Sequence, residues 1–278
     1  MNSYEIVKRQ NEDASLKIQY AARCCFNSAE IYNNLTWLCC FVSLFSIFLP
    51  CTFSQNIKSV IPFAFDILAA LFCYIANRKV NKGAKLRKYF DSYVIGICNN
   101  EYSESEILDL KEYAERNFLK KRSIASIQVA HTGNDVPPGV RDWYVFPKEM
   151  DGLKSKFECQ KQNTWWNSKL ARARLLIFLL FFAAIVLFFI CKGFGVIMCS
   201  AGLIIKTAER FVENYRYNHI SRLIEGSQIT VESTITEDGI KTLQSLIDKR
   251  RAINVLEINL LHKKIAKHLT SLYRKIVL

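Results

Sequence analysis

Four apolar stretches constrain this chain more than any other feature, because they divide it between a lipid phase and water. The first runs from Leu35 to Phe53 without a charge, and the second from Val60 to Ala76 with a single acid, Asp66. The third, Leu175 to Cys191, is the most apolar, and the fourth, Phe194 to Ile205, has only twelve residues before Lys206. A hydrocarbon core of about 30 Å takes about 20 residues of helix, with about 17 as a lower bound. Three stretches satisfy that length. The fourth crosses if Lys206 snorkels or the bilayer thins locally; otherwise it is re-entrant or interfacial. The pattern predicts a mainly α membrane protein with two helical hairpins, 35–76 and 175–205. A mostly helical cytoplasmic domain is then built from the middle, 77–174, and from both termini, 1–34 and 206–278.

Charge placement sets the expected orientation. Of 38 Lys and Arg, 4 lie in residues 1–34, 19 in 77–174 and 13 from Lys206 onward, so the positive-inside rule puts the middle and both termini in the cytoplasm. The same topology absorbs most of the net charge of +13, and basicity is therefore no argument for a DNA or RNA polymer as partner. Lys79, Lys82, Lys85, Arg87 and Lys88, just past the second stretch, are expected to face lipid headgroups. Glu12 and Asp13 interrupt the region where a signal peptide would need its apolar core, so none is expected. Six of the ten cysteines, Cys39, Cys40, Cys51, Cys73, Cys191 and Cys199, fall in the apolar stretches and the rest on the cytoplasmic side, where reduced thiols are expected. The four histidines include no pair three or four apart, and neither cysteine doublet has metal-ligand spacing, so neither a metal nor another cofactor is expected. No His-Glu-x-x-His pair, Gly-rich phosphate loop or nucleophile elbow occurs, which argues against an enzyme.

Local patterns predict how the cytoplasmic parts fold. A helix opened by Asn11, with Glu12 and Asp13 in its first turn and Ala14, Ile18, Ala21, Ala22 and Cys25 on one face, should run into the first stretch. Leu86, Phe90, Tyr93, Val94 and Ile97 recur at helical spacing beyond the second stretch, with Asn99 and Asn100 ending that helix. Ser103 and Glu106 form a capping box for a helix carrying Ile107, Leu110, Ala114 and Phe118 and finishing near Arg122. Ile124 to Val129 suits a short strand or a helix end, and His131 to Gly139 reads as an exposed loop. Lys206 to Glu225 should continue the fourth helix and close at Gly226, with Ile229, Val231, Ser233 and Ile235 alternating as in a strand. A helix follows from Ile240, and Leu261, Ile265, Leu269, Leu272 and Ile276 make a stripe suited to packing on this domain or to subunit association.

Two clusters and one isolated acid carry the functional expectations. Arg141, Asp142, Trp143 and Tyr144 follow the Pro-rich loop, and Gln160, Asn163, Trp165, Trp166, Lys169 and Arg172 lead into the third stretch. Aromatics beside planar amides and guanidinium groups can stack on bases, pair with base edges and neutralise phosphates. Interfacial tryptophans are equally expected just before a membrane helix. Asp66, an acid inside a span, is costly unless it faces protein or water, which marks it for a pore lining or a helix contact; a harmless interfacial depth is the other reading.

These residues carry a family resemblance. Gln10-Asn11, Ala21-Ala22-Arg23, Phe90-Asp91, Asp142-Trp143-Tyr144, and Cys159-Gln160 with Asn163, Trp166, Lys169, Leu170 and Arg172, followed by Leu243-Gln244, Ile247 and Arg250, resemble the SMODS-associating four-transmembrane effectors of bacterial antiphage signalling. Lys161 stands where that family more often has Arg, Asn167 where an acid is usual, and the usual Pro- and aromatic-rich ending is not evident after Arg251. The resemblance implies a homo-oligomeric effector in the bacterial inner membrane. A partner nucleotidyltransferase would supply a cyclic di- or trinucleotide, the cytoplasmic domain would bind it, and the membrane would be breached, killing the infected cell. A constitutive small channel or transporter, or a non-catalytic membrane tether, is the alternative.

Overall fold

A computed structural model describes residues 1–46, 55–97, 102–146, 148–192 and 201–255, without the side chains of 55–59, 166–174, 177, 189, 191 and 192. In chain order the helices are α1 (Ser3–Gln10), α2 (Asp13–Phe45), α3 (Gln55–Asp91), α4 (Glu104–Lys120), α5 (Arg122–Ala130), α6 (Gly152–Lys192), α7 (Ala201–Ser233) and α8 (Glu237–Arg251), with a π-helical turn, Ser92–Gly96, closing α3. Among the described residues no strand forms, and only an isolated bridge joins Thr132 to Arg141.

The four long helices make two antiparallel pairs. In the first, Phe26 lies at Gly83, Tyr32 at Phe72 and Ser43 at Pro62, which fixes α2 against α3. In the second, Lys161 meets Glu232, Thr164 meets Gln228 and Phe182 stacks on Phe211, which fixes α6 against α7. Trp37 and Phe41 of α2 both meet the Phe181 ring edge-on, joining the pairs. Beside a small cluster of Leu16, Tyr20, Ala125 and Val140 where α2 meets α5, two larger cores result along this bundle. One, at the apolar end, gathers Cys39, Cys40, Leu44, Ala69 and Leu203. The larger, at the polar end, gathers Ile18, Leu86, Phe90, Leu110, Ile224 and Leu243 among others, so that α1, α4, α6, α7 and α8 all close on the base of α2 and α3.

Around the smaller core the outward faces are apolar as well. Leu38 and Phe45 of α2, Phe63, Ile67 and Leu71 of α3, and Leu180, Leu187 and Ile190 of α6 are exposed. Soluble monomers seldom show a belt of that extent. The α3 window has mean hydropathy 1.9 and is only 17% buried, unlike the core helix of a soluble protein. It is the one helix among the described residues long and apolar enough to cross by itself, with a shorter apolar run at Phe178–Phe188. Part of the first stretch and most of the fourth lie outside the described residues.

Several local expectations need correction. The helix expected from Asn11 is α2, which starts at Asp13 with no side-chain cap, and a separate helix, α1, precedes it, opened by a reciprocal capping box of Asn2 and Glu5. Asn11 sits between them, its amide engaged elsewhere. Gly226 does not end α7, nor do Ile229 to Ile235 form a strand, because Tyr217, Ser221, Ile224 and Val231 are buried at helical spacing while Ile229 is 71% exposed. That spacing outweighs the roughly 1 kcal/mol penalty of one mid-helix glycine. Ile124 to Val129 belongs to α5. The Ser103–Glu106 capping box forms as expected and opens α4. Asn99, Asn100 and the stripe from Leu261 to Ile276 lie outside the described residues.

Candidate functional site

Residues 140–146 form neither helix nor strand and bend at Asp142, whose φ is 50°. The Val140 and Arg141 N–H groups donate to the Gln128 and His131 carbonyls, and carboxamide side chains satisfy much of the main chain beyond them. Gln10 accepts from the Tyr144 N–H at 2.7 Å and donates to its carbonyl at 3.0 Å. Gln162 does the same for Val145, at 3.0 and 2.6 Å. Asn11 accepts from the Asp142 N–H at 3.1 Å and donates to its carboxylate at 2.7 Å. Arg23 donates to the carbonyls of Pro138 at 2.6 Å and Gly139 at 2.7 Å, pinning the preceding loop. Gly139 itself packs so tightly that a β-carbon would overlap the His131 carbonyl.

This segment delivers Tyr144 into a buried polar hub centred on Asp91, the last residue of α3. Asp91 is 1% exposed. It accepts from Tyr144 Oη at 2.5 Å, Arg251 Nη1 at 2.6 Å, Gln244 Nε2 at 3.3 Å and Asn163 Nδ2 at 3.4 Å. Asn163 Nδ2 also donates to Tyr144 Oη at 2.8 Å. Gln160 ties α6 to α8 through the Ile240 carbonyl at 2.9 Å and Gln244 Oε1 at 3.1 Å. Arg250 is buried too, donating to the Asn163 carbonyl at 3.2 Å with its guanidinium over the Tyr217 ring.

Burial sets the electrostatics. It pushes the Tyr144 phenol well above its ordinary value, with Asp91 adding to the shift, so the hydroxyl stays a donor. For Arg251 burial works against the charge, but Asp91 and Asp248 outweigh it and raise the value. Burial pushes Asp248 up to about 6, with Arg251 pulling the other way. The Cys159 thiol is likewise pushed well up by burial and then by Asp91, which makes it a poor nucleophile.

The predicted residues are thus sorted by depth. Tyr144 and Gln160 are buried and Asn163 half-buried in the hub, whereas Arg141 and Asp142 are exposed at its rim. Trp143 is half-buried, its ring 4.0 Å below the Arg87 guanidinium carbon. Trp166, Lys169 and Arg172 lie on α6, but their side chains are outside the described residues. Arg87 turns inward instead of facing headgroups, while Lys85 pairs with Glu106 at 2.9 Å and Lys82 lies over the Tyr113 ring. The helical spacing of α3 could have placed Arg87 one residue from buried Leu86, yet a run of five cations reads as a solvated face. Arg251 was hidden in the same way within Lys249-Arg250-Arg251.

A second polar cluster lies where the bundle leaves its apolar end. Asp66 abuts Gly202, where a β-carbon would overlap Asp66 Oδ1, and that oxygen is buried without a hydrogen-bond partner among the described residues. The acid therefore makes a helix contact between α3 and α7. Lys206 does not snorkel outward: it is 3% exposed, pairs with Glu209 at 2.9 Å and reaches Cys73 Sγ at 3.1 Å. One turn on, Arg210 pairs with Glu213 at 2.7 Å and donates to Asn33 at 2.7 Å and to the Asn254 carbonyl.

The model of the SMODS-associating 4TM effector domain matches residues 4–199, and the chain belongs to that family. Membership makes it a membrane effector associated with nucleotidyltransferase-linked antiviral signalling. No curated protein and no solved structure matches it.

Proposed function

We propose that the chain binds a cyclic oligonucleotide through its cytoplasmic domain and, in response, breaches the bacterial inner membrane. One observation supports this above the others: the helices bearing the apolar stretches run unbroken into the polar body. At 1.5 Å per residue, helices of 33 to 41 residues are about 50–60 Å long, well beyond a hydrocarbon core of about 30 Å. Asp91 stands at the end of α3, and Gln160 and Asn163 lie in the protruding part of α6. A ligand that favours a different hub arrangement therefore moves rigid rods, and the displacement arrives at the membrane.

In this reading the four stretches all span, the termini and the 77–174 region are cytoplasmic, and 77–174 is the sensing domain. Arg141, Asp142 and Trp143 stand on the ligand side. Tyr144, Gln160 and Asn163 transmit its arrival to α3 and α8, while Trp166, Lys169 and Arg172 couple the same domain to the third span. Four helices leave little room for a wide hydrated path, so protomers assemble around one, with Asp66 at a helix contact that rearranges.

The test is dye release from liposomes holding the purified protein, with a panel of cyclic di- and trinucleotides. Release triggered by one member supports a gated effector and names its signal. Correct insertion with no release by any member points to a constitutive channel or a tether instead. An Asp66→Asn protein that folds and leaks as wild type does would remove Asp66 from the mechanism.

A further inference from the structure

Two guanidinium groups, those of Arg23 and Arg251, lie within electrostatic reach of a third, Arg87. Arg251 is taken by Asp91 and Asp248. Arg23 is occupied by main-chain carbonyls. Arg87 differs from both. Among the described residues no acid pairs with it, and its Nε is sealed from solvent without a hydrogen-bond partner. Its one contact of note is the Trp143 ring, whose centroid lies 4.0 Å from the guanidinium carbon. Burial pushes Arg87 down to about 9, with Arg251 and Arg23 adding to the shift against Asp91 and Tyr144, as expected of a cation held without a counter-ion.

We infer that Arg87, backed by Trp143, is a seat for a phosphodiester anion and that filling it is what the hub senses. Guanidinium matches a phosphate in a bidentate fork and stacks on an aromatic ring at the same time, which a lysine cannot do. The coupling runs through one peptide bond, since Trp143 precedes Tyr144, whose hydroxyl holds Asp91 at 2.5 Å. Freeing Nε for a phosphate shifts Trp143, hence Tyr144, hence the end of α3. A nucleotide phosphate and a lipid phosphate share this chemistry, and position favours the nucleotide. Arg87 lies eleven residues beyond Ala76, about 16 Å of helix rise, while the headgroup layer is only about 5–8 Å deep.

This rests on the proposed function for the ligand's identity but not for the seat itself. The experiment compares wild type, Arg87→Met and Arg87→Lys as full-length protein in detergent, following Tm and ligand binding. Pyrophosphate, the cyclic di- and trinucleotide panel, and phosphatidylglycerol against phosphatidylcholine vesicles serve as probes. Arg87→Met should keep or raise Tm in the absence of ligand, since it removes the orphaned Nε, and should weaken binding roughly 10- to 100-fold. Arg87→Lys should recover only part of that loss. An Arg87-dependent response to pyrophosphate supports the seat even where no nucleotide in the panel binds, in which case the proposed function falls alone. Nucleotide binding that survives Arg87→Met, or a large fall in its Tm, overturns the seat and leaves the function standing. An Arg87-dependent response confined to phosphatidylglycerol gives the seat to lipid and overturns the nucleotide assignment. No response to any probe overturns the seat.

Discussion

Replacing Arg251 with Met strands the Asp91 carboxylate. The arginine is the closest cation to Asp91, at 2.6 Å, and the other donors to it, from Tyr144, Gln244 and Asn163, are neutral. Removing one partner from a buried pair costs about 3–5 kcal/mol, because the remaining charge stays out of water. The Arg251 side chain is itself 15% exposed, so the low end of that range, about 3 kcal/mol, applies. At about 2–4 °C per kcal/mol for a chain of this size, Tm should fall by about 6–12 °C. Asp91→Asn keeps the shape and one acceptor and leaves Arg251 its second acid, Asp248, at 3.4 Å; the expected cost is about 1–2 kcal/mol. The double variant no longer strands Asp91, although Asp248 still loses Arg251 and keeps the Gln244 amide at 3.2 Å, and it should be more stable than Arg251→Met alone. Thermal unfolding in detergent, followed by tryptophan fluorescence, closes the cycle. If the two single effects add, or if Arg251→Met moves Tm by less than about 2 °C, the pair does not anchor the hub and the reasoning is wrong.

Three other outcomes are expected. Tyr144→Phe removes the shortest bond to Asp91 and the Asn163 acceptor, and should lower stability by about 1–3 kcal/mol in the same unfolding assay. Gly139→Ala drives a β-carbon into the His131 carbonyl; it should cost about 1–3 kcal/mol and quicken proteolysis within 131–139. Burial raises Glu213 to about 7 against the pull of Arg210. A carboxyl so raised binds its proton more tightly folded than unfolded, so stability grows as pH falls from about 7 and is lost as pH climbs through that value. Asp248, raised to about 6, adds the same sign. The carboxyl of Glu209, held low, stays ionised in this range and does not contribute. Tm should therefore be higher near pH 5.5 than near pH 7.5, and Glu213→Gln should remove most of the difference.

Much of the scaffold could be read from residue order alone. A capping box such as Ser103 with Glu106 is local chemistry, complete within four residues, and α4 begins where it says. The stripe Leu86, Phe90, Val94 identified a buried face because helical periodicity reports burial directly. The same logic misled at Ile229 to Ile235, where short alternation looked like a strand until Ile224 and Val231 were seen to share one helical face. It also missed Arg87, because a cation among cations carries no mark of which way it points.

Apolar length and charge placement thus determined by themselves that the chain has a lipid-exposed part and a basic helical body, since the partition of each residue between oil and water needs no knowledge of its neighbours. The tertiary structure alone decided that Gln10, Asp91, Tyr144, Gln160 and Arg251 meet. Asp91 and Arg251 are 160 residues apart, and periodicity says that a face is buried without saying what it is buried against. Only the packing of α1, α3, α6 and α8 brings these partners within hydrogen-bond reach, and in a buried site that reach determines whether a charge is held or stranded.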